Sequence, residues 1–539
     1  VEFYRQDLRE SKGFMQNSIR PSDKWIGFED AVALLGFGVL ALALPLSNLF
    51  MSIGLFIAAA AALSRIIRTI IFRNSNTWRS GNLLVLLPAL IWLFTLVGGW
   101  GSDNKDHWLW DVRVKLPLVL LPLFAWLFHE VLKRNFLVIV GFFIIGVTTA
   151  CVVCFWFALN GSHSSYDMRN ASVFISHIRF GLMMAMVIPL LYFSTGISEA
   201  KRGLKTSLML VFIFLFFSYE IVTANLTGMA LMITVLLFIS IHYSVHSKNR
   251  TPRIVLCFLF FILLSVSFYV RSEYISYFTI RDADETPMEL STANGEPYLK
   301  CEYPFIVEEG RVTERYIALN ELDSAWEART KISLDSRDSR GQPLRFTLIR
   351  YLTSLDLRKD AKGVSQLSDE DVLNVFAGYT NVHEQHRPAM VNRMYALFYE
   401  WAVYKESNVV SGHSLFQRLE FWRAGRNIIR QNAWWGIGPG DVPDAFARSY
   451  DEINTTLDVS NRLRAHNQWM TFWISFGVFG CIALLFVLWW PVYKLKWALL
   501  TCFVLISFLS FLTEDTLETQ AGVCFYAFFS AVLMAVRVR

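Results

Sequence analysis

Long apolar runs, separated by short basic or turn-forming stretches, dominate the chain. They lie near residues 28–48, 49–64, 82–98, 114–128, 136–158, 176–195, 205–222, 225–244, 253–270, 467–490, 496–512 and 519–536. A bilayer core takes roughly 17–25 apolar helical residues, so this pattern predicts an all-α polytopic membrane protein. The expected count is about 12 transmembrane helices, of which the second and fourth are the shortest. The first two runs are parted only by Pro45-Leu-Ser-Asn48, which predicts a tight turn. One long stretch breaks the pattern. Residues 271–465 are too polar to span and long enough for a small domain between helices 9 and 10. Apolar spacing predicts helices from Leu348 and across Met390–Tyr404, and Ser368-Asp-Glu-Asp371 reads as a capped helix start. Residues 281–345 are less periodic and read as loop or short strand. The chain thus divides into a tail over 1–27, helices 1–9 over 28–270, a mostly helical loop domain over 271–465, and helices 10–12 over 466–539.

The basic residues orient this arrangement. With twelve crossings, Arg5, Arg9, Arg20, Arg65, Arg68, Arg73, Arg79, Lys133, Arg134, Lys201, Lys248, Arg250, Lys494, Lys496, Arg537 and Arg539 all fall on one side. The positive-inside rule makes that side the cytoplasm and leaves both termini there. The opposite face receives residues 98–113, 159–177, 220–226, 271–465 and 512–519. Composition agrees: 54% of residues are hydrophobic and only 18% charged, against about 25% charged in soluble domains. The net charge of +5 is dispersed in short clusters, which gives no nucleic-acid footprint. Six of the seven Cys lie in apolar runs, so a disulfide framework is not expected, and Cys151-Val-Val-Cys154 reads as packing. No cleavable signal is evident.

Candidate chemistry gathers on the non-cytoplasmic face. Arg179, in Ser176-His-Ile-Arg-Phe-Gly181, sits where a cation must be paired or face a polar cavity. A phosphate clamp and a snorkelling interfacial arginine both fit it. Arg418, Glu420, Arg423, Arg426 and Arg430 follow at helical spacing. They read as a solvated basic face, or as a helix from which Arg418 or Arg423 holds a pyrophosphate. Gly436-Ile-Gly-Pro-Gly440 lacks the Lys-Ser/Thr of a nucleotide loop and predicts a tight turn for close backbone approach. His466 opens the tenth span, followed by Asn467 and Gln468. A neutral imidazole there could accept a hydroxyl proton. Glu514, Asp515 and Glu518 lie on the same face and could orient His466 or pair with the arginines. Capping is the other reading of Asp515 and Glu518. His383-Glu-Gln-His386 has an incomplete ligand set, so no metal is expected. Glu29, Asp30 and Glu220, at span edges, read as interfacial.

Arg418-x-x-x-Trp422, the glycine turn, His466-Asn467 and Phe476-Gly-Val-Phe-Gly480 together resemble the O-antigen ligase superfamily, which includes O-antigen polymerases and bacterial protein O-oligosaccharyltransferases. Glu514-Asp-Thr-Leu-Glu-Thr-Gln520-Ala-Gly resembles the closing motif of its Bacteroidetes-type members. The resemblance implies a GT-C-like enzyme of the bacterial inner membrane, working on the periplasmic face without cofactor, metal or nucleotide. Its donor would be a glycan on undecaprenyl pyrophosphate. Its acceptor would be lipid A–core, with a glycan or a protein Ser/Thr as alternatives. His466 matches the family's catalytic histidine, and Arg179 and Arg418 its pyrophosphate-binding arginines; Arg423 is a third candidate for the pyrophosphate, and Asn467 and Glu514 are supporting candidates. The segment near 280–405 exceeds the usual loop. A polysaccharide transporter or flippase is the competing class, but transporters favour repeated halves and midplane polar sites. Here the single insertion follows the ninth span and the polar residues crowd one face.

Overall fold

The computed structural model describes residues 23–71, 82–160, 171–193, 202–246, 251–281, 288–301, 306–407, 410, 412 and 414–537. Most of the expected tail, and with it Arg5, Arg9 and Arg20, lies outside the described residues, as do Arg73, Arg79, Lys201, Lys248, Arg250 and Arg539.

The chain opens as a helical hairpin, α1 (Asp23–Ala43) and α2 (Asn48–Ile71). The turn predicted at Pro45 joins them. Small residues let the two helices close up. A Cβ on Gly36 would lie 2.6 Å from the Ala58 nitrogen, and one on Gly54 2.7 Å from that of Leu40. Glu29 and Asp30 are not simply interfacial. Glu29 is buried and accepts from Ser64 Oγ (2.8 Å) and Arg68 Nη2 (3.0 Å), while Arg65 pairs with Asp30 and donates to the Leu127 carbonyl (2.8 Å). Such partners offset the cost of burying the Glu29 carboxylate; Glu220, read as interfacial, is likewise buried, but its carboxylate oxygens have no hydrogen-bond partner among the described residues.

The helices that follow are α3 (Ala89–Gly98), α4 (Lys105–Val114), α5 (Pro117–Leu127), α6 (His129–Arg134), α7 (Phe136–Asn160), α8 (His177–Phe193), α9 (Arg202–Val222), α10 (Leu226–His246) and α11 (Thr251–Phe278). After the polar segment come α19 (Gln468–Leu495), α20 (Ala498–Thr513) and α21 (Gln520–Arg537). Among the described residues, six helices are long and apolar enough to cross a membrane: α2, α7, α10, α11, α19 and α21. Helices α3, α8, α9 and α20 are apolar but shorter. The fourth predicted span is α5, which ends at Leu127 before the short polar helix α6, and the third begins as a 3-10 turn over Leu83–Leu86. This is a mostly helical, polytopic membrane protein. At its centre, α21 is buried at every position from Ala521 to Ala535, as a helix apolar all round must be. Cys151, Cys154, Cys502 and Cys524 are buried free thiols in the same core.

The polar segment forms two cores. The first joins α12 (Leu319–Thr330), α13 (Leu344–Ser354), α14 (Ala361–Ser365) and α15 (Asp369–Phe376) through Leu322, Trp326, Leu348, Tyr351 and Val375. Beside it the irregular stretch contributes a short antiparallel hairpin, β1 (Val307–Glu308) with β2 (Arg311–Val312). The capped start at Ser368 is a full capping box with Asp371. The second core joins α17 (Ser414–Gln431) and α18 (Val442–Glu452) to α19 through Phe416, Phe421, Ile428, Phe446, Tyr450 and Ile474. Helix α16 (Ala389–Ser407) leads into it. This second core carries the functional elements.

Candidate functional site

Two glycine motifs build the frame. Within α19 the backbone leaves helical geometry at Gly477 (φ 65°, ψ −163°). That break frees carbonyls one turn earlier, and the Gly436–Gly440 turn supplies their donors. Ile437 N donates to Ile474 O (2.9 Å) and Gly438 N to Ser475 O (3.0 Å), while Val478 N donates back to Ala433 O (3.0 Å). The fit is tight enough to exclude side chains: a Cβ on Gly477 would lie 2.0 Å from Trp434 O, and one on Gly436 2.5 Å from Phe476 N. The same turn is locked to the α3–α4 loop, where Asp441 accepts from Asn104 N (2.9 Å) and Gly440 N donates to Ser102 Oγ (3.3 Å). The start of α19 is thereby fixed against the rest of the fold.

His466 stands two residues before α19, in the left-handed region at φ 46°. Its backbone N–H donates to Asp515 Oδ2 (3.1 Å), and its ring lies 5.8 Å from that of Phe421. Asn467 is the helix cap: its side chain accepts from Met470 N (3.1 Å) and donates to Leu512 O (3.1 Å), tying α19 to the end of α20. Its role is thus to hold the backbone that presents His466.

Glu514, just past α20, is where the predicted residues meet. One oxygen faces Arg418 Nη2 at 3.2 Å. The other faces His466 Nδ1 at 3.6 Å and Arg179 Nη2 at 4.0 Å. The Glu514 side chain is only 10% exposed. Burial by itself would raise its pKa, but His466, Arg418 and Arg179 outweigh it and hold the carboxyl below its ordinary value. Arg179 Nε is buried and has no hydrogen-bond partner among the described residues, which leaves a guanidinium donor uncommitted. Arg179, His466 and Glu514 line a cavity of about 510 Å³ together with His107, Phe446, Arg462 and Arg464. Arg423 does not join them. Its side chain is 58% exposed and pairs along the helix with Glu420 at 3.3 Å. Arg426 and Arg430 share that exposed face.

One wall of the cavity, with Arg464, Asp515 and Glu518, belongs to a charge network that the sequence reading missed. Lys115 Nζ bonds Asp111 (2.6 Å) and Glu518 (2.9 Å), and Arg464 Nη1 faces Glu518 at 3.6 Å. Gln468, fully buried, accepts from Leu517 N (2.7 Å) and donates to Glu518 (2.9 Å). Asp515 accepts from Thr471 Oγ1 (2.7 Å). Asp515 and Glu518 are therefore neither caps nor partners of the pyrophosphate candidates; they brace the loop that carries Glu514. Burial raises the pKa of Asp515, and burial together with Glu518 raises that of Asp111. At Glu518 burial acts the same way but loses to Lys115 and Arg464, so its pKa is lowered. Burial and then Arg464 depress the pKa of His107. The available signal was Asp111 and Lys115, four residues apart at the head of an apolar run.

Residues 389–485 match the family model described as O-antigen ligase, supporting the superfamily that the Arg418–Gly480 motifs resemble. The match spans α16 to the middle of α19, which includes Arg418 and His466. No curated protein matches the chain.

Proposed function

With residues 389–485 forming an O-antigen ligase domain, we propose that this protein is a metal-independent, inverting glycan transferase of about 12 spans and GT-C-like architecture. It takes a glycan from undecaprenyl pyrophosphate and joins it to a hydroxyl of lipid A–core on the periplasmic face of the inner membrane. The observation that carries this reading is the convergence of Arg179, Arg418 and His466 on one buried carboxylate beside a cavity. A polyprenyl tail can stay among the apolar helices while sugar and pyrophosphate occupy the polar end.

The arginines supply what the leaving group needs. As the bond from the anomeric carbon to the phosphate oxygen breaks, its electron pair adds charge to the pyrophosphate. Guanidiniums already in place stabilise that charge without reorganisation. Arg179, with its uncommitted Nε, is the first contact. Glu514 faces His466 Nδ1, which favours the tautomer protonated there and leaves the Nε2 lone pair for the acceptor hydroxyl. Nε2 takes the hydroxyl proton, the acceptor oxygen bonds to the anomeric carbon, and polyprenyl pyrophosphate departs from the opposite face. A single displacement of this kind inverts the anomeric centre.

The test is transfer by the purified protein from a lipid-pyrophosphate glycan, with lipid A–core, glycan and Ser/Thr peptide offered separately. Product on lipid A–core, lost on His466→Ala by about 10²-fold or more, supports the proposal. Product on peptide alone overturns the ligase assignment. Full activity of His466→Ala in a folded protein removes that residue from the mechanism.

A further inference from the structure

A second cavity, of about 580 Å³, opens between the outer core and α16. It is as large as sites that enclose small-molecule ligands. Its walls come from the β1–β2 hairpin, the start of α13, the loop after α15 and one face of α16. Three guanidiniums line it, and each is already committed to a carboxylate. Arg350 bonds Glu308 (2.6 and 2.9 Å), Arg387 bonds Glu309 (2.7 Å) and Arg340 bonds Glu384 (2.6 Å). Arg350 also lies 3.6 Å over the Tyr399 ring, and Arg387 4.7 Å over that of Tyr395. Two further carboxylates, Glu314 and Glu400, line the same space.

This chemistry selects a ligand. Five carboxylates line the cleft and the guanidiniums at it are already paired, with Glu400 facing Arg393 at 3.6 Å, so no uncommitted cation among the described lining residues draws in a phosphate or other anion. Ionised carboxylates are acceptors only, with about four lone-pair sites each, so they suit a molecule rich in hydroxyl donors. The exposed Phe346 adds ring surface for its apolar faces. An extended peptide would need a free strand edge, and the strand pair here is two residues long. Beside the cleft one buried group is unpartnered, its ring 5.4 Å from that of the lining residue Tyr395. Tyr277, at the end of α11, is 3% exposed, and its hydroxyl has no hydrogen-bond partner among the described residues. The charges facing it are Glu308, Arg350 and Glu309. The cleft also adjoins the helix that carries Arg418. Glu400 accepts from Leu415 N (3.3 Å) in the first turn of α17, and Arg418 lies on the next turn.

We propose that this cleft recognises the acceptor, as a binding site for an uncharged oligosaccharide. The assignment rests on the glycan-transfer reading of the Glu514 site and names the substrate that the extra segment selects. The probe is the core oligosaccharide released by mild acid from the cells' own lipopolysaccharide, dephosphorylated and carboxyl-reduced so that it carries no anionic group. Wild type, Phe346→Ala and Glu314→Gln are compared in the full-length detergent-solubilised protein. The expected result is an acceptor KM raised about tenfold, with donor KM and kcat at saturating acceptor unchanged. Saturation-transfer NMR should show the oligosaccharide bound to wild type and released from both variants, whether or not turnover is measurable. An acceptor KM unmoved in both variants overturns the proposal, as does displacement of the oligosaccharide by a Ser/Thr peptide. A wild-type protein that binds oligosaccharide in the cleft but never turns over donor sinks the catalytic reading and leaves this site standing.

Discussion

Gly477→Ala is the most demanding test of how the site is built. The residue holds φ 65° and ψ −163°, a region open almost only to glycine, and forcing an L side chain into it costs about 1–3 kcal/mol. Its Cβ would lie 2.0 Å from Trp434 O and 2.2 Å from the adjoining carbonyl carbon. Both are backbone atoms, so relief requires separating the 433–440 turn from α19. That separation loses the bonds Ile437 N–Ile474 O, Gly438 N–Ser475 O and Val478 N–Ala433 O, each worth about 1 kcal/mol net. The total is about 4–6 kcal/mol, a large share of the roughly 5–15 kcal/mol that holds a typical domain. Spread over 539 residues at an unfolding entropy of about 2.1 cal/mol/K each, it lowers Tm by about 4–5 °C. Tryptophan fluorescence during heating in detergent reads this directly. Gly141→Ala is the control, since a Cβ there meets nothing within 4 Å and alanine gains about 1 kcal/mol of helix propensity. Transfer activity should fall with Gly477→Ala, because the same kink sets the start of α19 and hence His466. A Tm within about 1 °C of wild type, with activity retained, refutes the claim that the two glycine motifs form one joint.

Three further outcomes are expected. Glu514→Gln keeps the shape but removes the charge facing Arg179, Arg418 and His466; kcat should fall about 10²–10⁴-fold while donor KM holds or drops, and a raised donor KM with normal kcat contradicts this. Arg423→Ala loses only an exposed pair worth at most about 1 kcal/mol and should leave donor KM unchanged, whereas Arg418→Ala should raise it about tenfold; equal effects would mean that Arg423 reaches the donor after all. The buried network should also be visible in the pH dependence of stability. The carboxyl of Asp111 is raised from its ordinary value to about 7, so its contribution is full at low pH and lost as pH rises through that window. Glu518 is lowered and acts oppositely, losing its contribution only as the solution turns strongly acid. Asp111→Asn removes the first effect, so the Tm difference between variant and wild type should shift in the variant's favour from about pH 4 to about pH 7; a flat difference across that range refutes it.

The parts of this molecule that were legible in its sequence are those set by local pattern. Apolar run length announced a polytopic helical protein, and six of its helices among the described residues are long and apolar enough to cross a membrane. Pro45 marked the first turn, and Ser368 with Asp371 marked a helix start that the structure caps at both groups. Run length also placed the end of the fourth span, where the polar pair His129-Glu130 follows Phe128 and α5 stops at Leu127, but it gave no sign of the 3-10 turn over Leu83–Leu86 that opens the third. Sequence spacing also separates two of the candidate arginines. Arg418 and Arg423 are five residues apart on α17, so at about 100° per residue they diverge by about 140° and cannot both face Glu514.

The other misses are pairings across the fold. Lys115 and Glu518 are 403 positions apart, and Gln468 meets Leu517 across 49. No periodicity joins such residues; only packing does. The same holds for the site itself. The ligase match over 389–485 contains Arg418 and His466, while Arg179 comes from α8 and Glu514 from the link between α20 and α21. A motif scan therefore sees half of the constellation, and the membrane helices must deliver the other half. This explains why so much buried charge and hydrogen bonding surrounds a short loop. Asp515, Glu518, Gln468 and Lys115 hold residues 514–519 in one position, and only in that position can a single carboxylate face a histidine and two arginines from three different elements.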